Sequence, residues 1–281
     1  MLKLELVEAV LARALKGGAD FAEVYAQRAK KRRMKVRQGA LEEALSGLDY
    51  GAGVRLFFGT EVVYAYTNDL TQEGLMEALE TLLRAKGALG KVDEGGKGGL
   101  DFRKATPKGL HAPKVPYGEK DKRYRLERLL EAEAGARIAP AIKQVEASLL
   151  EWEEEVLVAN TEGVFAEEKR VRTRLFVLAV AQDGAEVQTG YSAPGKSVGL
   201  ELFDLYPPKA VGEKAARQAL TNLKARPAPA GTFPVVVGPG FGGVLFHEAV
   251  GHLLETTSVA RKASVLADKL GEVVASPAVT Y

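Results

Sequence analysis

The sequence predicts an α+β protein, with antiparallel sheets flanked by helices. Three observations carry that expectation. Apolar residues recur at helical spacing near residues 4–15, 71–83, 119–137 and 208–223. Residues 21–67 and 141–203 instead alternate with a period of two. Short turns, not helices, join most of the alternating runs, and that connectivity makes strands antiparallel.

Leu4, Val7, Leu11, Ala14 and Leu15 share one helical face, and Gly17-Gly18 end the helix. Residues 21–38 read as one or two strands and residues 40–48 as another. Residues 51–58 and 61–67 read as a hairpin turning at Gly59-Thr60. Thr71 is a candidate N-cap for a helix whose inner face is Leu75, Leu79, Leu82 and Leu83. Residues 87–120, rich in glycine, proline and lysine, read as a long loop, with His111 as a solvated loop histidine.

Residues 119–137 return to helical spacing, with Leu126, Leu129, Leu130 and Ala134 on one side. Residues 142–152, 155–160, 163–178 and 179–191 read as a four-stranded meander. Its turns are expected at Glu153-Glu154, Thr161-Glu162-Gly163 and Asp183-Gly184. Pro207-Pro208 opens a helix with Val211, Ala215, Ala216, Leu220 and Leu223 inward. Arg226-Pro227-Ala228-Pro229-Ala230-Gly231 is the clearest boundary. It separates an α+β domain, 1–225, from a second region, 231–281, which opens with a short buried-type strand at Phe233–Val237.

Composition narrows the function. The chain has 281 residues, 46% hydrophobic and 27% charged, with a net charge of only +2. That balance argues against a dedicated nucleic-acid surface. The basic cluster Arg28, Lys30, Lys31, Arg32, Arg33, Lys35 and Arg37 has no interleaved aromatics and reads as a solvated strand pair. There is no cysteine, hence no disulfide framework and no thiolate ligand. No signal-peptide pattern or long apolar run is visible, so the cytoplasm is the expected location.

The chemistry concentrates at His247-Glu248-Ala249-Val250-Gly251-His252, which holds two of the three histidines. Neutral imidazoles suit Zn²⁺, and an adjacent carboxylate can take a proton from metal-bound water. The histidines are five apart, about 140° around a regular α-helix, so one metal requires an irregular helix there. A π-bulge would realign them, and Gly251 lowers the cost of distortion. Two other readings stay open on the residues alone. One is a buried helix with two satisfied histidines. The other is a phosphate-cradling turn, because Gly238-x-Gly240-x-x-Gly243 matches a dinucleotide fingerprint.

The run from Pro234 to His252, with its glycine-rich lead Gly238-Pro239-Gly240-Phe241-Gly242-Gly243, resembles the signature of the TldD/PmbA family of metallopeptidases. Tyr50 to Arg55, Ala65 to Leu70, Gly195 to Asp204 and the helix after Pro208 are also similar to that family. The resemblance implies a zinc-dependent peptidase acting on peptides or small unfolded polypeptides. It makes His247 and His252 metal ligands and Glu248 the residue that activates a zinc-bound water. It implies a homodimer, or a heterodimer with a paralogous PmbA/TldE-type subunit. Glu255 matches a recurrent acidic residue of the motif, and Leu253 replaces a common glycine. The family's β-rich C-terminal domain supplies a cysteine as third ligand, which this chain lacks. The chain therefore reads as truncated within that domain, with Glu255 or Asp268 as substitute ligands. The alternative is a non-catalytic fragment or subunit that binds peptide or a partner.

Overall fold

The computed structural model describes residues 1–87, 100–105 and 112–279, so His111 and much of the expected 87–120 loop lie outside the described residues. These residues group into two compact units. One is Met1–Phe58 with Val62–Arg226, and the other is Pro227–Tyr281 with Gly59–Glu61.

Among the described residues, the first unit holds eight strands and five α-helices. In chain order they are α1 (Leu4–Lys16), β1 (Phe21–Arg37), β2 (Ala40–Phe58), β3 (Glu61–Thr67), α2 (Gln72–Ala85), β4 (Arg103–Ala105), α3 (Lys122–Ala136), β5 (Ile142–Asn160), β6 (Val164–Asp183), β7 (Glu186–Ser192), β8 (Gly195–Lys196), α4 (Leu202–Leu205) and α5 (Pro208–Asn222). The sheet runs β3-β2-β1-β5-β6-β4, with β7 and β8 also on β6. The registered pairs are antiparallel except β4 with β6.

The length of the strands explains the architecture. On β1, Ala22, Val24 and Ala26 enter one core with α1 and α2. Met34 and Val36, on the same face, enter a second core with α3 and α5. One strand thus serves two helical layers, and the exposed Arg28 and Lys30 span the gap between them. Thr71 caps α2, its hydroxyl accepting from the Gly74 amide at 3.2 Å. Leu75, Leu79 and Leu83 of that helix are fully buried, each worth about 1.5–3 kcal/mol of apolar transfer.

Several expectations are corrected. Residues 40–48 and 51–58 form the single strand β2, because β1 pairs with it across the whole span, Lys31 opposite Gly47 and Gln27 opposite Gly51. The expected turn at Glu153-Glu154 is continuous β5. Glu154 is buried there, taking a hydrogen bond from Gln27 at 3.1 Å and facing Arg172 at 3.5 Å. Residues 164–183 likewise run unbroken through 178, so the meander has three strands, with turns at 161–163 and 183–184 as expected. The expected loop 87–120 includes β4, paired parallel with β6, and a 3₁₀ turn at Tyr117–Glu119. The buried face of α3 is Arg125, Leu129, Ala132, Glu133 and Ala136, with Leu126 and Leu130 at its margin and Ala134 exposed. Two buried charges rotate it from the apolar stripe.

Glycine permits the close crossing of α3 and α5. A Cβ on Gly212 would lie 1.9 Å from the Ala132 carbonyl oxygen. Nearby, the buried Glu201 carboxylate accepts the backbone N–H groups of Lys114 and Val115, both at 2.9 Å. Burial alone would raise its pKa, but the backbone donors outweigh that and hold it below the usual carboxylate range. A lowered folded-state pKa stabilises above the unfolded value and is lost as pH falls through the folded value. Glu201→Gln is therefore expected to cost about 1–3 kcal/mol at neutral pH, with the deficit shrinking as pH drops below about 4. Thermal melts of both proteins across that range check it.

In the second unit the described residues form α6 (Gly242–Ala249), a 3₁₀ turn (Gly251–Leu254) and α7 (Thr256–Ala260). The expected strand Phe233–Val237 is irregular, with Val236 96% exposed. Among the described residues no strand pairs with it, and an unpaired segment has no ladder to join. Among the described residues no helix is long and apolar enough to cross a membrane.

Candidate metal centre

The glycine-rich run makes a tight entry to α6. Gly240 has φ +98°, a conformation that favours glycine. The Gly243 amide donates to the Gly240 carbonyl at 3.0 Å and the Val244 amide to Phe241 at 3.0 Å. A Cβ on Gly242 would sit 2.5 Å from Val237 Cγ1. The strand that a dinucleotide fingerprint requires is absent from 233–237, so these glycines shape a helix entry rather than complete that motif.

His247 and Glu248 lie in the last turn of α6. The helix then breaks as expected, although not as a π-bulge. Val250 adopts φ −129°, ψ −41°, and the chain resumes as the 3₁₀ turn that carries His252. This break removes the 140° divergence of a regular helix. The two imidazole centroids come to 4.5 Å, with the rings inclined at 65°. One donor atom each from His247, Glu248 and His252 lies within 4.8 Å of the others. The 3₁₀ turn is tied at its far end by the Ser264 hydroxyl, which donates to the Leu253 carbonyl at 2.6 Å and accepts from the Leu266 amide at 3.1 Å.

Glu255 has a defined place as well. Its Oε1 lies 2.7 Å from His252 Nδ1, while Glu248 Oε2 lies 3.3 Å from His252 Nε2. The hydrogen bond to Glu255, with the charges of Glu255 and Glu248, raises the His252 pKa. The His252 ring is thus held through one nitrogen and presents the other toward Glu248. That is the carboxylate–histidine arrangement that orients a metal-ligating imidazole. Among the described residues, neither Glu255 nor Asp268 joins the three-residue group, and Asp268 instead faces Lys262 at 3.8 Å. Two imidazoles at the surface, with the Glu248 carboxylate beside them, suit a borderline-soft divalent cation such as Zn²⁺ and leave room for further ligands. The sequence had marked all three residues; it had not shown that Glu255 grips His252, for which the three-residue spacing was the available signal.

Comparisons with known proteins agree in chain order. Residues 22–86 match PmbA/TldA metallopeptidase domain 1, residues 113–223 the central domain and residues 230–281 the C-terminal domain. A metalloprotease TldD homolog of Haemophilus influenzae is 32% identical over 271 residues, covering 93% of this chain and 55% of the relative. A metalloprotease of Methanothermobacter thermautotrophicus is 29% identical, covering 93% and 56%. The chain thus spans about half the length of these curated relatives. Among solved structures, a protein of Bacteroides thetaiotaomicron described as a candidate modulator of DNA gyrase superposes with TM-score 0.73 at 19% identity, covering 98% of this chain and 63% of that one. TldE of Thermococcus kodakarensis superposes with TM-score 0.63 at 16% identity, covering 94% and 58%. These likenesses show the same fold. With all three domains matched in order, the chain belongs to the PmbA/TldD metallopeptidase family.

Proposed function

We propose that this chain carries the helix of a zinc-dependent peptidase that hydrolyses peptides or small unfolded polypeptides. The observation that supports this most is the gathering of His247, Glu248 and His252 by a break in the helix that would otherwise separate them. The metalloprotease names of the curated relatives point the same way.

In this reading His247 and His252 hold the metal. A bound Zn²⁺ would supply Lewis-acid polarisation of the scissile carbonyl and acidify water. Glu248 is the general base: its carboxylate accepts the proton of the attacking water and can return it to the leaving amine. Glu255 fixes the His252 ring through Nδ1. The cytoplasm is the proposed location. The proposed assembly is a homodimer, or a heterodimer with a paralogous PmbA/TldE-type subunit; a TldE protein among the fold neighbours supports the second form.

The reading is tested with a quenched fluorescent peptide library. Hydrolysis should disappear on chelation and return with stoichiometric zinc; hydrolysis indifferent to chelator would refute it. Glu255→Gln is expected to weaken zinc affinity about 10–100-fold without altering the fold, as read by competition with a zinc-sensitive dye.

A further inference from the structure

The register of the sheet brings together side chains that are far apart in sequence. Lys31, Trp152 and Arg172 are successive cross-strand neighbours on β1, β5 and β6. One row along, Arg33, Leu150 and Arg174 are neighbours in the same way. Side chains two apart share a face, so both rows project from one side of the sheet. The alternate residues Arg32, Glu151 and Thr173 project to the other side, where Tyr117 and Arg125 pack.

The first side bears a cavity of about 770 Å³. Its lining includes five cations, Lys31, Arg33, Arg172, Arg174 and Lys196, while Arg32 and the one carboxylate, Glu151, border it from the row whose side chains project to the other side. That carboxylate is buried and already held by Arg125. Lys31 and Arg33 are engaged by Asp49 and Glu43, and Arg172 by Glu154. Arg174 and Lys196 have no side-chain ion pair or hydrogen bond among the described residues. Lys31 Nζ lies 4.6 Å and Arg172 Cζ 5.7 Å from the Trp152 ring centroid. The indole N–H of Trp152 is buried without an acceptor, and an unmade hydrogen bond of that kind is costly. Leu45 and Leu150, 61% and 42% exposed, add apolar surface.

We propose that this cavity is a docking site for an acidic, apolar peptide segment in extended form. Surplus positive charge selects carboxylate side chains, and Leu45, Leu150 and Trp152 accept apolar ones alternating with them. The cavity also borders residues 45–47 of β2. Trp152 is the one aromatic side chain of the lining, so successive bases have no row of rings to stack on, which favours a peptide over a nucleic acid. The site lies within the first unit and stands whether or not the second unit hydrolyses peptides.

Trp152 is the sole tryptophan of the chain, so its fluorescence reports the site directly. The full chain is titrated, with chelator present, with a capped peptide of alternating Glu and Leu. A saturable fluorescence change that weakens about tenfold between low and high salt is expected. Arg174→Glu and Lys196→Glu, which break no ion pair, should each weaken binding at least about tenfold at an unchanged melting midpoint. Arg174→Gln and Lys196→Gln should give a smaller loss, and they replace any charge-reversal variant whose midpoint falls. No saturable change, an equal response to Gln-Leu or Lys-Leu peptides, or unchanged affinity in the folded variants would overturn the proposal. Tighter binding of an oligothymidylate than of the peptide would overturn the choice of partner.

Discussion

Glu248→Gln is expected to lower peptide hydrolysis by about 10²–10⁴-fold while zinc remains bound. Glutamine keeps the shape of the side chain, and the two imidazoles are untouched. It cannot accept the proton that an attacking water must lose. Glu248 occupies the exposed end of α6, with Oε2 only 3.3 Å from His252 Nε2, so it is close to the proposed metal without being enclosed. Steady-state hydrolysis and zinc content measured on one preparation separate loss of the base from loss of the metal. Undiminished hydrolysis in a zinc-loaded variant would remove Glu248 from the mechanism.

Arg125→Ala is expected to destabilise the first unit by about 3–5 kcal/mol. Arg125 is 7% exposed and Glu151 3% exposed. Their guanidinium and carboxylate meet at 2.5 Å and 3.2 Å. The guanidinium also donates to the carbonyls of Tyr117, Lys120 and Asp121 at 2.8, 2.5 and 2.9 Å. Removing it strands a buried carboxylate whose remaining cation is Arg32, at 3.6 Å. Three carbonyls lose a donor as well. The double variant Arg125→Met, Glu151→Leu should recover part of the loss, because no buried carboxylate is then stranded although the three carbonyls still lack their donor. Thermal unfolding of the three proteins checks both statements, the single variant melting roughly 10 °C lower.

Local signals in the sequence were read most successfully. Gly17-Gly18 ended α1, Thr71 capped α2 and Pro208 opened α5, because each acts within one turn. Strand continuity was less legible, since it depends on a partner. Residues 47–51 and 153–154 carry turn-type or acidic residues, yet β1 pairs across both places and holds them extended. The face of α3 was misread because Arg125 and Glu133 are buried through partners distant in sequence, Glu151 and Gly39. A strand reading of 233–237 followed from its valines, but composition alone supplies no neighbour.

The metal candidate was legible to the extent that its chemistry is local. His247, Glu248 and His252 lie within six residues, and their spacing required a distorted helix. The form of the distortion, a break at Val250 followed by a 3₁₀ turn, depends partly on the tie from Ser264. The Trp152 cavity was illegible for the opposite reason. It joins residues 31, 152, 172 and 196, and only the register of the folded sheet unites them.

The central claim is that the broken helix forms a metal-binding pair of histidines. Zinc titration of the chain, with bound metal counted after size-exclusion chromatography, tests it most directly against His247→Ala and His252→Ala. The account predicts saturable binding of one zinc ion per chain, weakened at least about tenfold in each variant at an unchanged melting midpoint. Equal zinc uptake by all three proteins, or no saturable uptake by the unsubstituted chain, would contradict it.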